Sequence, residues 1–280
     1  MKIIPAEKIR NTVADLCLKA NISLRKDVLS ALKLAYSRES NKIARKILGA
    51  IIENAHIAQK EKIAICQDTG LPCIFVELGQ DIKINGDLKK SINQGVELGY
   101  KKGYFRNSVI NDPLLRGKSG YSPALIHIDI VTGRKLKLTV LPKGFGCENK
   151  TQLKMFLPTT ETADIRKFIV DVVKTAGPDA CPPYVVGLGI GGSADYACWL
   201  AKKALLKKIT SYELRITNYV SKLERQLLNE INKLNIGPMG LGGKTTCLAV
   251  NIETYPTHIA GLPVAVNISC HALRSASAIL

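Results

Sequence analysis

The run Leu262-Pro-Val-Ala-Val-Asn-Ile268 is apolar and rich in β-branched residues, and it reads as a buried strand. Its flanks constrain the chain more than the run itself. Tyr255-Pro-Thr-His258 leads into it and Cys270-His271 follows it, so two of the four histidines bracket one strand. Two further cysteines sit in equally turn-rich settings, Cys66 in Ile65-Cys-Gln-Asp-Thr-Gly70 and Cys181 in Ala180-Cys-Pro-Pro-Tyr184. Three thiolates from three distant loops are what an iron–sulfur cluster with one open iron needs.

With 280 residues the chain can bury a large core, and 46% hydrophobic against 22% charged residues is an ordinary globular balance. No stretch reaches the roughly 18 uncharged apolar residues of a membrane span. The N-terminus MKIIPAEKIR has no long apolar segment of a secretory signal, so a cytoplasmic protein is expected. Forty Lys and Arg against 23 Asp and Glu give a net charge of +17. Nucleic acid is the usual inference from such an excess. Here the lysines are scattered through helical stretches, at Lys89-Lys90, Lys101-Lys102, Lys202-Lys203 and Lys207-Lys208, without interleaved aromatic residues. They read as a solvated surface that can steer dicarboxylate anions or dock an acidic partner subunit, not as a nucleic-acid footprint.

Eight cysteines in a chain expected to be intracellular do not suggest disulfides, and the absence of CxxC spacing argues against a zinc ribbon or a thioredoxin-like motif. Cys17 and Cys198 fall on helical faces, and Cys73 and Cys247 fall in strand-like runs. All four read as buried small hydrophobes.

Taken in order, residues 6–58 carry helical periodicity broken at Asn21-Ile-Ser, a helical layer with no chemistry of its own. Leu71–Leu78 reads as a strand after Gly70, and a helix is expected from Leu88 to about Lys101. Tyr104-Phe-Arg106-Asn follows as a polar, turn-prone stretch. Leu125–Val131 and Lys135–Leu141 both alternate, and Thr132-Gly133 between them suggests a β-hairpin with His127 and Asp129 on one face. Leu141-Pro-Lys-Gly-Phe-Gly-Cys-Glu-Asn-Lys150 suggests a loop offering backbone amides to an anion, without the order of a P-loop. A helix is expected over Glu161–Thr175 and a long one over Glu213–Asn235. Val185-Val-Gly-Leu-Gly-Ile-Gly-Gly192 enters a helix near Ser193, but its GxGxGG spacing is not that of a dinucleotide site. A second glycine-rich turn, Gly237–Thr246, feeds a strand through Cys247–Ile252. These elements predict an α+β fold, a mixed or antiparallel sheet surrounded by helices, in one domain spanning 1–280 with a helical N-terminal layer over about 1–60.

With three cysteine ligands, one iron of a [4Fe–4S] cluster is left to act as a Lewis acid, a chemistry suited to hydration and dehydration. Such a reaction also needs an acid–base pair and cations for carboxylates. Asp68, two residues from Cys66, is placed to exchange a proton; His258 can set the charge and orientation of such a carboxylate; Arg106 can grip a carboxylate bidentately. Each also has an ordinary alternative as a turn former, a satisfied histidine or a surface arginine.

Nearly the whole sequence resembles the alpha subunit, or N-terminal catalytic region, of the iron–sulfur hydro-lyases that comprise class I fumarases and L(+)-tartrate dehydratases. The motifs that carry the resemblance are Cys66-Gln-Asp-Thr-Gly70, Lys143–Lys150, Ala180–Tyr184 with Gly187–Gly192, Gly240–Thr246, and Tyr255–His258 leading to Cys270. The resemblance implies a [4Fe–4S] cluster on Cys66, Cys181 and Cys270 with one iron lacking a cysteine. It implies catalytic roles for Asp68 and His258, substrate contacts from Gln67 and Arg106, and a small dicarboxylate substrate. In this family the remaining carboxylate-binding groups lie in a C-terminal region not found in these 280 residues. A smaller beta subunit completing the site is therefore expected, in an α2β2 assembly, with this chain inactive alone. The expected reaction is hydration of fumarate to (S)-malate; the alternative is dehydration of L(+)-tartrate to oxaloacetate. An electron-transfer protein, the alternative of another class, needs a fourth cluster ligand. Cys147 stands where the family usually has serine, and it reads as a serine replacement near the cluster, not as that ligand.

Overall fold

The computed structural model describes residues 2–209 and 218–280. In chain order the elements begin with β1 (Lys2–Pro5), α1 (Ala6–Ile22), α2 (Lys26–Arg38), α3 (Lys42–Glu61), β2 (Leu71–Gly79), β3 (Ile82–Asn85) and α4 (Leu88–Lys102). There follow β4 (Val109–Asp112), β5 (Arg116–Gly120), β6 (Leu125–Val131), β7 (Leu136–Lys143), α5 (Phe145–Glu148), β8 (Gln152–Phe156) and α6 (Thr162–Ala176). The last are β9 (Tyr184–Gly192), α7 (Ala194–Ala204), α8 (Tyr219–Asn232), β10 (Cys247–Thr257), β11 (Leu262–Ser269) and β12 (Ala276–Ile279). The chain divides into two compact units, one of Met1–Arg25, Asn54–Phe145 and Arg274–Leu280, the other of Lys26–Glu53 and Gly146–Leu273. The N-terminal helices are shared out: α1 belongs to the first unit, α2 to the second, and α3 contributes residues to both.

The first unit is built on β2, whose Cys73–Val76 core is buried throughout. It pairs antiparallel with β7 and parallel with β6, and β12 adds antiparallel beyond β7. The stripe Ile9, Val13, Leu16, Cys17 and Ala20 of α1 is buried with Ile74, Val76, Leu138 and Val140 of this sheet. α4 comes very close to α1 because its facing residues are glycines. A Cβ on Gly95 would lie 2.5 Å from the Arg10 carbonyl oxygen, and one on Gly99 2.6 Å from that of Ala14.

The expected hairpin of β6 and β7 does not form, although both strands do. β2 lies between them. A connection of four residues, 132–135, is long enough to cross the two strand spacings, roughly 9.6 Å, that a two-residue turn cannot. It is tied across the end of β2 by the Gly79, Gln80 and Asp81 amides, which donate to the carbonyls of Lys135, Val131 and Gly133. Gly79 makes room for that crossing, since a Cβ there would lie 2.4 Å from the Gly133 oxygen.

The second unit is built on β9, parallel to β10 and antiparallel to β11, with β8 at the edge beyond β11. Val186 and Leu188 face a core of Ile169 and Val173 from α6, Leu227 and Ile231 from α8, and Val250, Val264 and Val266 from the sheet. Alternating with them, Gly187 and Gly189 face α7. A Cβ at these positions would stand 2.2 Å from the Ala201 carbonyl and 2.0 Å from the Ala197 carbonyl. The glycine run therefore serves close helix–sheet packing, which is what its non-dinucleotide spacing leaves open.

The stretch around Phe145 is a one-turn helix rather than an open loop. The described part of the long helix is Tyr219–Asn232; Glu213 and Leu214 lie outside the described residues. Cys17, Cys73 and Cys247 are buried as expected, but Cys198 is only half-buried. Lys89, Lys90, Lys101 and Lys102 are exposed, whereas Lys202 and Lys207 are engaged within the second unit, Lys202 with Glu148 at 2.5 Å and Lys207 with the Ile252 carbonyl at 2.7 Å. Among the described residues no helix is long and apolar enough to cross a membrane.

Candidate active site

Within the first unit the Cys66–Gly70 loop is held almost entirely by its main chain. The Ile65 amide donates to the Asn21 carbonyl (2.9 Å), and the Ile65 carbonyl accepts from Asn54 Nδ2 (2.9 Å). The Tyr100 hydroxyl donates to the Thr69 carbonyl at 2.8 Å, and the buried Arg274 guanidinium donates to the Asp68 carbonyl. Gly70 has φ +75°, and a Cβ there would sit 2.6 Å from the Pro142 carbonyl carbon, so both conformation and space call for glycine. With 65, 69 and 70 anchored and buried, the side chains of half-buried Cys66 and Asp68 and exposed Gln67 are what the loop presents.

The Asp68 carboxylate is oriented at both oxygens. Oδ1 accepts the Gly70 N–H and Oδ2 the Phe145 N–H, each at 2.9 Å. Of the stretch Leu141–Lys150, expected to offer backbone amides to an anion, one amide, that of Phe145, is taken by the protein's own Asp68. Arg106 is joined to the same loop through Thr69, whose hydroxyl accepts the Arg106 N–H at 3.1 Å and donates to its carbonyl at 3.3 Å. The Arg106 side chain is exposed. Tyr100, Thr69 and Arg274 escaped the sequence reading. Arg274 left one signal, a cationic residue amid the small and apolar residues of His271-Ala-Leu-Arg-Ser-Ala276.

Within the second unit two of the three cysteine candidates are brought together. Cys181 has φ +57°, a left-handed conformation uncommon for a residue with a Cβ. Its carbonyl accepts from His271, the neighbour of Cys270, through the backbone N–H at 3.4 Å and through Nδ1 at 3.0 Å. A carbonyl only accepts, so Nδ1 of His271 carries hydrogen. The glycine-rich turn braces the same loop. Met239 N–H donates to the Pro182 carbonyl at 2.8 Å, and Gly240 lies so near Pro178 that a Cβ would be 2.3 Å from its ring. Further along that turn the buried Glu39 carboxylate accepts the Lys244 N–H at 2.7 Å. Cys147 is buried, and its thiol donates to the Ala180 carbonyl at 3.3 Å, one residue before Cys181. Glu148 beside it accepts from Lys202 and from Asn267 of β11. His258 lies in the exposed β10–β11 turn, where Nδ1 accepts the Ala260 N–H at 3.2 Å.

The cysteines sort by environment. Burial pushes the Cys17 thiol up and raises that of Cys247 to about 12, and both lie within apolar cores rather than on loops. Cys66, Cys181 and Cys270 are instead half-exposed at loop or strand-end positions. None of the eight forms a disulfide. Among the described residues no group of three His, Cys, Asp or Glu side chains gathers into a metal-holding cluster. The donor set nevertheless fits an iron–sulfur group in its chemistry, thiols of three half-exposed residues on loops or at a strand end, two of them on adjoining segments.

The sequence model of the family described as "Fumarate hydratase (Fumerase)" matches residues 10–279, which makes the chain an enzyme of the hydro-lyase class. A Methanocaldococcus jannaschii protein named "Putative L(+)-tartrate dehydratase subunit alpha" is 40% identical over 277 residues, 96% of each chain. L(+)-tartrate dehydratase subunit alpha of Escherichia coli O157:H7 is 30% identical, and that of strain K12 29%, each over 95% of this chain and 89% of the relative. The chain belongs to the alpha-subunit family of class I iron–sulfur hydro-lyases, the fumarase and tartrate dehydratase group.

Proposed function

We propose that this chain is the alpha subunit of a cytoplasmic two-subunit hydro-lyase that dehydrates a four-carbon 2-hydroxy diacid, with L(+)-tartrate as substrate and oxaloacetate as product. The observation that carries the substrate is the shared name of relatives 29–40% identical across nearly the whole chain. Hydration of fumarate to (S)-malate, which the motifs alone put first, is the second reading and is favoured by the description of the matching family. Eight cysteines with no disulfide among them suit a reducing compartment.

In this reading the 280 residues act as one catalytic domain, and Cys66, Cys181 and Cys270 hold a [4Fe–4S] cluster. When bound, the cluster supplies a Lewis acid through the iron that no cysteine ligates. Dehydration removes a proton from one carbon and hydroxide from its neighbour, and the enol so formed tautomerises to the keto diacid. Asp68, fixed at both oxygens by the Gly70 and Phe145 amides, moves a proton; His258 sets its charge and orientation. Gln67 and the guanidinium of Arg106 bind the substrate, Arg106 by paired hydrogen bonds to a carboxylate. A smaller beta subunit supplies the remaining cations, in an α2β2 assembly. The scattered exposed lysines of a +17 chain favour approach of a dianion.

The test is turnover of the anaerobically purified complex with its native partner on L-tartrate, on malate and on fumarate. Oxaloacetate from L-tartrate, lost on exposure to air, is the expected result. A preference for fumarate and malate would move the assignment to the second reading, and activity on none of them with an intact cluster would rule out both.

A further inference from the structure

One pair singled out in the sequence has no place in this chemistry: His127 and Asp129, on one face of β6. β6 is the edge of its sheet, paired with β2 on one side through seven consecutive register positions without a bulge. Exposed strand edges in monomeric proteins are usually guarded by lysine, proline or a bulge. β6 has no lysine, proline or bulge, its one carboxylate is Asp129, and Leu125, Ile128 and Ile130 are 41%, 43% and 71% exposed.

The order of residues along this edge is nearly a palindrome, Leu125-Ile-His-Ile-Asp-Ile-Val131, centred on Ile128. If a second β6 runs antiparallel with Ile128 opposite Ile128, every position meets a fitting one. Leu125 faces Val131 and Ile126 faces Ile130, like with like. His127 faces Asp129 at both ends, an imidazole against a carboxylate. Directly opposed residues share a face in an antiparallel pair, which the i, i+2 spacing of His127 and Asp129 satisfies. A shift of the register by one residue would oppose His127 to isoleucine and destroy the match.

The charges inside the sheet point the same way. In register with Asp129 on β2 stands Glu77, whose counterion is Lys137 of β7 at 2.7 Å. Asp129 thus has a like-charged neighbour on its paired side, and no ion pair to it forms among the described residues. His127, by contrast, is set in place by its ring against Phe75, centroids 5.0 Å apart.

We propose that β6 is the contact between two copies of this chain, joined antiparallel about a two-fold axis at Ile128, so that two four-stranded sheets become one continuous sheet. Such an isologous contact closes on itself and leaves neither β6 edge exposed. It supplies the α–α contact of the α2β2 assembly proposed above, but its test needs neither substrate nor cluster, so it fails or holds separately from the hydro-lyase reading.

The full chain is followed by sedimentation and by cross-linking, alone and in complex with its native partner. The unaltered chain is expected at twice its 30.5 kDa mass. Ile128→Lys sets two ammonium groups against each other on the axis and raises the dimer dissociation constant at least about tenfold, with unchanged circular dichroism. Ile128→Cys forms a reducible dimer with oxidised glutathione as the oxidant, because opposed Cα atoms lie about 4.5–5.5 Å apart, within disulfide reach. Asp129→His weakens the dimer, and His127→Asp combined with Asp129→His restores it. A monomer for the unaltered chain would overturn the proposal. So would a dimer indifferent to Ile128→Lys in a folded variant, or an Ile128→Cys cross-link to the partner subunit in place of a second copy.

Discussion

At the scale of single residues, Asp68 is held by hydrogen bonds rather than by a salt bridge, and this determines what its replacement does. Asn at this position keeps one acceptor oxygen but turns an NH2 group towards one of the two amides at 2.9 Å. Asp68→Asn is expected to retain bound iron while turnover falls by about 10²–10⁴-fold, the usual worth of a general acid or base. Turnover within a factor of a few of the unaltered enzyme would remove Asp68 from proton transfer. The loop itself was legible from the sequence, because a cysteine, a carboxylate and a turn glycine crowd into five residues. What fixes it was not. Tyr100 and Arg274 act from about 30 and 200 positions away, through main-chain carbonyls that no side-chain pattern announces.

The buried thiols make a second prediction at this scale. The folded chain favours the protonated form of Cys247, whose pKa rises from 9.0 to about 12 through burial. Cys17, Tyr100 and Tyr184 are displaced upward for the same reason. The unfolded chain therefore releases these protons first, at pH near 9 for the thiols and near 10 for the tyrosines, and stability that is complete below pH 9 is lost progressively towards pH 12. Urea midpoints should fall steadily over this window, and Cys247→Ala should reduce the slope by up to about 1.4 kcal/mol per pH unit. A midpoint independent of pH in this range would contradict the burial of these groups.

At the scale of elements, alternation and helical stripes located the long helices and the strands β2, β6, β7, β10 and β11; the short strands β1, β3, β4, β5, β8 and β12 passed unread, and pairing followed a rule the patterns do not contain. β6 and β7 look like a hairpin because nothing in their own residues reports that β2, read correctly as a strand, inserts between them. The only trace is Gly79, needed where the 132–135 connection crosses. The glycines of β9 are the reverse case, visible as a motif but misleading as to purpose. Their alternation admits α7, and Gly189 tolerates no side chain, since a Cβ there would stand 2.0 and 2.6 Å from backbone atoms of Ala197 and Ala201. Gly189→Ala must push α7 off the sheet and is expected to destabilise the chain by about 3 kcal/mol or more, at the upper end of overpacking. Equal denaturation midpoints for variant and parent would show that α7 packs less closely than described.

At the scale of the whole molecule, the family was legible because its motifs are spread over nearly the entire chain, and the match over residues 10–279 bears this out. The substrate was not legible to the same degree. Tartrate and malate differ by one hydroxyl, and none of Gln67, Asp68, Arg106 and His258 has a chemistry selective for it. The relatives' names reverse the order that the motifs suggested. The cluster is the claim on which the rest depends, and single cysteine replacements test it. Iron and labile sulfide should be counted in the anaerobically reconstituted chain and in its cysteine-to-serine variants. A full cluster is expected in the unaltered chain, with strong loss of iron in Cys66→Ser, Cys181→Ser and Cys270→Ser. An intact cluster is expected in Cys147→Ser, whose hydroxyl can still donate to the Ala180 carbonyl. Full iron in Cys181→Ser, or loss of the cluster in Cys147→Ser, would contradict this ligand set.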